Sequence, residues 1–239
     1  MFNPRPRIER VPIAGPGSGQ DAAWVVDDVL LEPNALCQQA VTQRQRFVAA
    51  PHNAYPGLEW QMDASVSDPL AEFFMLHVRT LLNARRTLSM YSRLSLATLQ
   101  PAQLRPLQRL CHRDRFGTGP GQGVAACIVY LFDRPELGGT SFYRPRRPVA
   151  DINADIRRWT AMGDAAFTDE LGAEPAYLTA SNTHFELVCT VPPAFNRAVF
   201  YDGGQFHSSH ITQPTLLSDD PAQGRLTLNG FFITRQAAR

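Results

Sequence analysis

Apolar positions follow a helical period early in the chain and a strand period later. A short strand is predicted over 24–30. A helix over 33–48 follows, with Asn34 as its cap and Leu36, Ala40, Val41, Phe47 and Val48 at helical spacing. A second helix is predicted from Asp68-Pro69, the acid capping and the proline taking the first helical position. Its face of Leu70, Phe73, Phe74, His77, Val78, Leu81 and Leu82 needs a sheet to pack against, and His77 reads as a core histidine. From Ser89 the period becomes two. Strands are predicted over 90–99, 107–114, 124–132, 140–143, 185–191, 194–201 and 225–233. Short strands with Pro/Gly punctuation after two helices predict an antiparallel sandwich or barrel with helices on one outer face.

Three stretches break this pattern. Residues 1–22, with Pro4, Pro6, Pro12 and Pro16, read as an irregular leader. The loop 52–60 holds the turn Tyr55-Pro56-Gly57, and His52 reads as a solvated loop histidine. Between 144 and 183, Arg144-Pro145-Arg146-Arg147-Pro148 precedes two helix-like pieces at 151–159 and 165–171. Such an excursion between core strands reads as a lid or substrate wall. The alternative is a solvated turn with helices that merely cap the sandwich. A single domain over 1–239 is expected, with 23–88 preceding a β core at 89–239.

Composition narrows the partners. The net charge of +1 and hydrophobic fraction of 44% suit a globular protein and argue against binding nucleic acid or a membrane surface by bulk charge. The first residues lack the apolar core of a signal peptide and no run of about 18 apolar residues follows, so the cytoplasm is the expected location. Cys37, Cys111, Cys127 and Cys189 stand singly, as reduced and mostly buried thiols.

Candidate chemistry starts at Cys111-His112-Arg113-Asp114. On a strand His112 and Asp114 point the same way, while Cys111 and Arg113 face away. One imidazole and one carboxylate are two legs of a facial triad that leaves positions open on non-haem iron. His207 and His210 compete for the third leg. Three apart on an extended segment they face opposite sides, and His207, beside small Ser208 and Ser209, is preferred. On the last strand Arg225, Thr227 and Asn229 share a face, and a buried guanidinium there needs a partner such as a bound carboxylate; taken alone, Arg225 reads equally as a strand-end arginine facing water.

The order His112-x-Asp114, His207, Arg225 resembles the Fe(II)/2-oxoglutarate-dependent dioxygenase superfamily, its prolyl-hydroxylase-like branch above all. The strand Cys127 to Leu131, the hairpin Leu137-Gly138-Gly139-Thr140 and an aromatic-ending strand follow in the order of that branch. The resemblance is good over 89–233 and looser over 23–88. It implies a double-stranded β-helix (jelly-roll, cupin-like) core, with His112, Asp114 and His207 as iron ligands. It further implies that Arg225 and the Tyr130 hydroxyl hold the distal carboxylate of 2-oxoglutarate, with Thr140 and Asn229 lining the site. The eighteen-residue gap from His207 to Arg225 (225 − 207) is long for that branch; the excess around 213–221 reads as a loop, and His210 as ligand would shorten the gap.

The cofactors implied are Fe(II), 2-oxoglutarate as cosubstrate and O2, and the activity implied is hydroxylation with release of succinate and CO2. An amino acid, a peptide and a protein side chain all remain open as substrates. Arg93, Arg115, Arg144, Arg146 and Arg147 could meet an acidic substrate or a peptide backbone, or be ordinary surface. His112-Arg113-Asp114 also spells the start of a kinase catalytic loop, but Gly119 stands where that loop needs asparagine. A halogenase is disfavoured because Asp114 occupies the position that a halide would need. Two rival readings are a non-catalytic, metal-stabilised binding module of the same fold and a cupin-like metalloenzyme that does not use 2-oxoglutarate.

Overall fold

The computed structural model describes residues 1–13, 21–49, 55–114 and 118–236; His52, Arg115 and the leader around Pro16 lie outside them. The strands are β1 Ile8–Pro12, β2 Ala22–Val26, β3 Val48–Ala49, β4 Gly57–Gln61, β5 Ala84–Ala97, β6 Gln122–Tyr130, β7 Thr140–Pro145, β8 Phe185–Val191, β9 Ala198–Asp202, β10 Phe206–Ser209 and β11 Arg225–Gln236. The helices are α1 Pro33–Thr42, α2 Ala64–Phe73, α3 Val149–Thr160 and α4 Asp164–Leu171. Eight strands form one sheet, in the order β1-β2-β9-β6-β11-β5-β4-β3, and β10-β7-β8 form a second. All the pairings are antiparallel.

Alternation of side chains gives the large sheet two unlike faces. Leu94, Leu96, Leu226, Leu228 and Phe232 turn outward beneath α1 and α2, where they meet Leu36, Ala40, Val66, Leu70 and Phe73. Phe232 stacks on Phe74 with centroids 4.0 Å apart. Such a ring pair adds about 0.5–1.5 kcal/mol to the gain from burial alone. The inner face carries Tyr130, Val199 and Tyr201 toward Phe142 and Val191 of the small sheet, and it also carries Arg225, Thr227 and Asn229. This is the mainly antiparallel, cupin-like double-stranded β-helix expected, but the helices are not confined to one outer face: α1 and α2 cover the large sheet, while α3 and α4 pack Ile152, Trp159 and Phe167 against Tyr143, Phe185 and Phe206 of the small one.

Local differences from the sequence reading have physical causes. The leader is not wholly irregular, because β1 pairs with β2 from Ile8↔Val26 to Pro12↔Ala22. As an edge strand it tolerates a proline. Helix α1 stops at Thr42, and Val48–Ala49 pairs with β4 instead of continuing the helix. Helix α2 begins at Ala64, because the Asp63 side chain caps it by accepting from the Ser65 amide. Pro69 therefore lies inside the helix. Five residues of π-helix at Phe74–Val78 then shift its phase, leaving His77 half-buried against Phe73. Segment 107–114 is not a strand throughout. Pro106 opens a 3-10 turn over Pro106–Arg109, and the extended part is reduced to one bridge between His112 and His207.

Candidate metal centre

The site sits where segment 110–114 meets β10. His112 and His207 exchange both backbone hydrogen bonds at 2.9 Å, and the Asp114 amide donates to the Gly203 carbonyl at 2.7 Å. His112 and Asp114 thus keep the shared face that their spacing predicts. His112 Nε2 lies 3.6 Å from Asp114 Oδ1, and His207 Nε2 lies 3.5 Å from Asp114 Oδ2. One nitrogen or oxygen atom from each of the three residues converges within 4.8 Å of the others.

The electrostatics favour a cation at this point. His207 Nδ1 faces the Gln205 carbonyl at 3.0 Å. A carbonyl only accepts, so Nδ1 carries the proton and Nε2 presents its lone pair inward. Burial, helped by the facing His207 ring and Arg93, pulls His112 well below the usual histidine range, so its imidazole is neutral. Although 37% of the His112 side chain is accessible, that access is from the cavity, with protein around the rest of the ring. Burial raises the Asp114 carboxyl, against the opposing pull of His207 and Arg93. Asp114 Oδ2 has no hydrogen-bond partner among the described residues. A neutral imidazole at His112, the inward-facing Nε2 of His207 and a desolvated carboxylate with an unused oxygen fit a divalent ion.

His210 is turned elsewhere. Its Nδ1 meets Ser141 Oγ at 2.8 Å, and its amide donates to the Gly139 carbonyl. This separates the two competing histidines as the three-residue spacing predicts.

A cavity of about 680 Å³ opens from the triad, bounded on one side by Arg225, Tyr55, Gln108 and Tyr177. Arg225 is 2% exposed, and its guanidinium donates from Nε to the Gly138 carbonyl at 3.0 Å and from Nη2 to Gly139 at 2.9 Å. Neighbouring backbone leaves room only for glycines at these two carbonyls. Gly138 has φ +83°, and a Cβ there would lie 1.9 Å from the His210 carbonyl oxygen. Two of five guanidinium N–H groups are used in these bonds, leaving others for the cavity. Asn229 also lines the cavity, and donates to Ser95 and Thr227.

Tyr130 and Thr140 do not line the cavity. Their hydroxyls bond each other at 2.8 Å, and the Tyr130 ring lies 5.9 Å from the Arg225 guanidinium. The cavity phenol beside Arg225 is instead Tyr55, which burial pushes up to about 12. The sequence reading gave Tyr55 no role at the site. Its signal was its neighbour Gly57, which pairs with Ala97 opposite Arg225.

The excursion at 144–183 supplies a cavity wall. Asn153, Ile156, Arg157 and Thr160 of α3, with Tyr177 and Leu178, line it. Arg109 anchors the excursion by donating to Thr168 Oγ1 and the Ala173 carbonyl. Arg144 and Arg147 instead pair with Glu186 and Asp155, and Arg146 donates to the Asn182 carbonyl. Arg93 does line the cavity and is bound by Glu59. Arg113 points off the metal axis but does not leave the cavity: it crosses to Asn153 and lies over Phe206. No helix among the described residues is long and apolar enough to cross a membrane.

The two facing sheets, with a His-Asp-His cluster at their mouth, define a cupin-like double-stranded β-helix with a candidate metal centre. Residues 4–232 match the Family of unknown function (DUF6445), and the chain belongs to that family. No curated protein sequence matches. Among solved structures, HygX from Streptomyces hygroscopicus with nickel and 2-oxoglutarate bound is similar at 12% identity and TM-score 0.50, over 90% of this chain and 83% of that one. The non-heme alpha ketoglutarate dependent carbocyclase SnoK from nogalamycin biosynthesis is similar at 14% identity and TM-score 0.49, over 90% and 80%.

Proposed function

We propose that this chain is an Fe(II)- and 2-oxoglutarate-dependent oxygenase that hydroxylates an amino acid, a peptide or a protein side chain. The observation that carries the reading is the convergence of His112, Asp114 and His207, with an Asp114 oxygen that has no hydrogen-bond partner among the described residues, in a cavity that also holds a buried arginine. The fold shared with HygX, which binds nickel and 2-oxoglutarate, supports it. His112, Asp114 and His207 would hold the iron. Bound there, iron supplies the redox chemistry in which O2 and 2-oxoglutarate become succinate, CO2 and a hydroxyl on the substrate carbon.

The chain's own residues bind, orient and exclude water. Arg225 presents N–H donors to the distal carboxylate of the cosubstrate, held in place by the Gly138 and Gly139 carbonyls. Tyr55, protonated across the physiological range, offers a hydroxyl beside it. Tyr130 and Thr140 close the space behind Arg225, and Asn229 orders the polar floor. The Gln205 carbonyl keeps the His207 proton on Nδ1. The residue order of the prolyl-hydroxylase-like branch supports placement there.

The test is succinate formation from 2-oxoglutarate with Fe(II), O2 and ascorbate, in wild type and His112→Ala. Uncoupled turnover in wild type that is lost in the variant is expected. Absence of both 2-oxoglutarate binding and succinate from wild type would overturn the reading.

A further inference from the structure

We infer that the substrate of this site carries an anionic group, a carboxylate or phosphate, received at Arg157 on α3 beside Arg113. Its apolar or aromatic body would lie against Tyr91 and Phe231. The inference rests on the oxygenase reading for what the cavity does, but its evidence comes from the opposite wall.

Helix α3 presents one stripe to the cavity. Asn153, Ile156, Arg157 and Thr160 fall at i, i+3, i+4 and i+7, the spacing of a single helical face, and all four line it. Ile152 and Trp159, fully buried, hold the other side of the helix against the small sheet. Arg113 docks this wall by donating to Asn153 Oδ1 at 2.6 Å, one turn from Arg157. The helix is therefore packed in place with its polar stripe facing the cavity.

Charge separates Arg157 from its neighbours. Arg147 and Arg158 are answered by Asp155 and Glu170. Arg157 makes no ion pair or hydrogen bond among the described residues and is exposed. Four arginines line the cavity, Arg93, Arg113, Arg157 and Arg225, against one carboxylate, Asp114. Arg93 is paired with Glu59. On the oxygenase reading Asp114 belongs to the metal and Arg225 to the cosubstrate. Arg157, with no acid partner among the described residues, thus adds its charge to the α3 wall, and a concave site focuses such a field on an incoming anion. The body of the substrate follows from the facing wall, where Tyr91, 44% exposed, stacks on Phe231 at 4.9 Å with Ile233 alongside.

The test is calorimetric titration of the full chain with phenylacetate, phenyl phosphate and uncharged phenylacetamide, with and without saturating Mn(II) and 2-oxoglutarate. At least one anion is expected to bind the loaded protein, about tenfold or more tighter than the amide. Arg157→Gln should weaken that anion about tenfold, and Arg157→Lys should keep most of the affinity. The stronger anion distinguishes a carboxylate from a phosphate substrate. Equal binding of acid and amide, no anion binding, an unchanged Arg157→Gln, or competition between probe and 2-oxoglutarate would each overturn the inference. If Mn(II) and 2-oxoglutarate themselves do not bind, the oxygenase reading fails, and the metal-free titration of Arg157→Gln still decides the anion site.

Discussion

Truncating Arg225 to alanine should separate cosubstrate binding from metal binding. The side chain is almost wholly buried and is fixed by two successive carbonyls of the β6–β7 connection, which crosses from one sheet to the other, so its remaining donors reach the cavity without loss of rotamer freedom on binding. Removing a charge-assisted fork from a buried carboxylate costs about 3 kcal/mol, a factor of about 150 in affinity. Arg225→Lys keeps the charge but not the planar fork and should lose less. Alanine also strands the Gly138 and Gly139 carbonyls, at about 1–3 kcal/mol each, so the variant melts lower before any ligand is added. The assay is titration of 2-oxoglutarate into Mn(II)-loaded protein well below that melting transition, with Mn(II) affinity measured separately. A folded Arg225→Ala that binds 2-oxoglutarate within twofold of wild type would refute the assignment. Equal loss of Mn(II) would show that the change acts on the triad instead.

His207→Ala should abolish stoichiometric metal uptake and His210→Ala should leave it intact, as read by elemental analysis after dialysis, because His210 is engaged with Ser141. Asn196, at φ +63°, bonds both the amide and the carbonyl of Leu30 at 2.9 Å, so Asn196→Ala should cost about 3 kcal/mol by urea melting. Asp27→Asn should cost at most about 1 kcal/mol at neutral pH, since Asp27 is more than half exposed to screening solvent. The Arg197 hydrogen bond holds the Asp27 carboxyl below its ordinary 3.8, so this stabilisation is complete above 3.8 and is lost as pH falls through the folded value. The melting temperatures of the two proteins should converge in acid; a gap that persists there would contradict the ion pair.

The β core was legible because its strands are short apolar runs bounded by Pro/Gly turns: β6, β8, β9 and β11 fall within a few residues of where the sequence puts them, although β6, β9 and β11 are buried on both faces. Periodicity failed where one residue changed the local balance. Asp63 captured the start of α2 from Asp68, and Pro106 turned the first three residues of a predicted strand into a 3-10 turn. The triad was legible because a period of two survives even a single bridge. Tyr55 was not, since only the β4–β5 pairing, far from any motif, brings it beside Arg225. Arg157 was hidden for a similar reason: Arg147, Arg157 and Arg158 look alike until the acids at Asp155 and Glu170 select two of them.

Segment 110–114 joins the small sheet through one reciprocal pair of amide bonds at His112, and the β9–β10 turn through a single bond from Asp114 to Gly203. As a fourth strand it is unfinished, with a 3-10 turn where more rungs would be. An ion coordinated by His112, Asp114 and His207 would act as a side-chain rivet across this seam, joining stretches far apart in sequence. Metal loading should therefore slow amide hydrogen exchange at His112, Asp114 and His207 far more than in β5 or β11, making this protein's barrel mouth a zone whose rigidity follows metal supply.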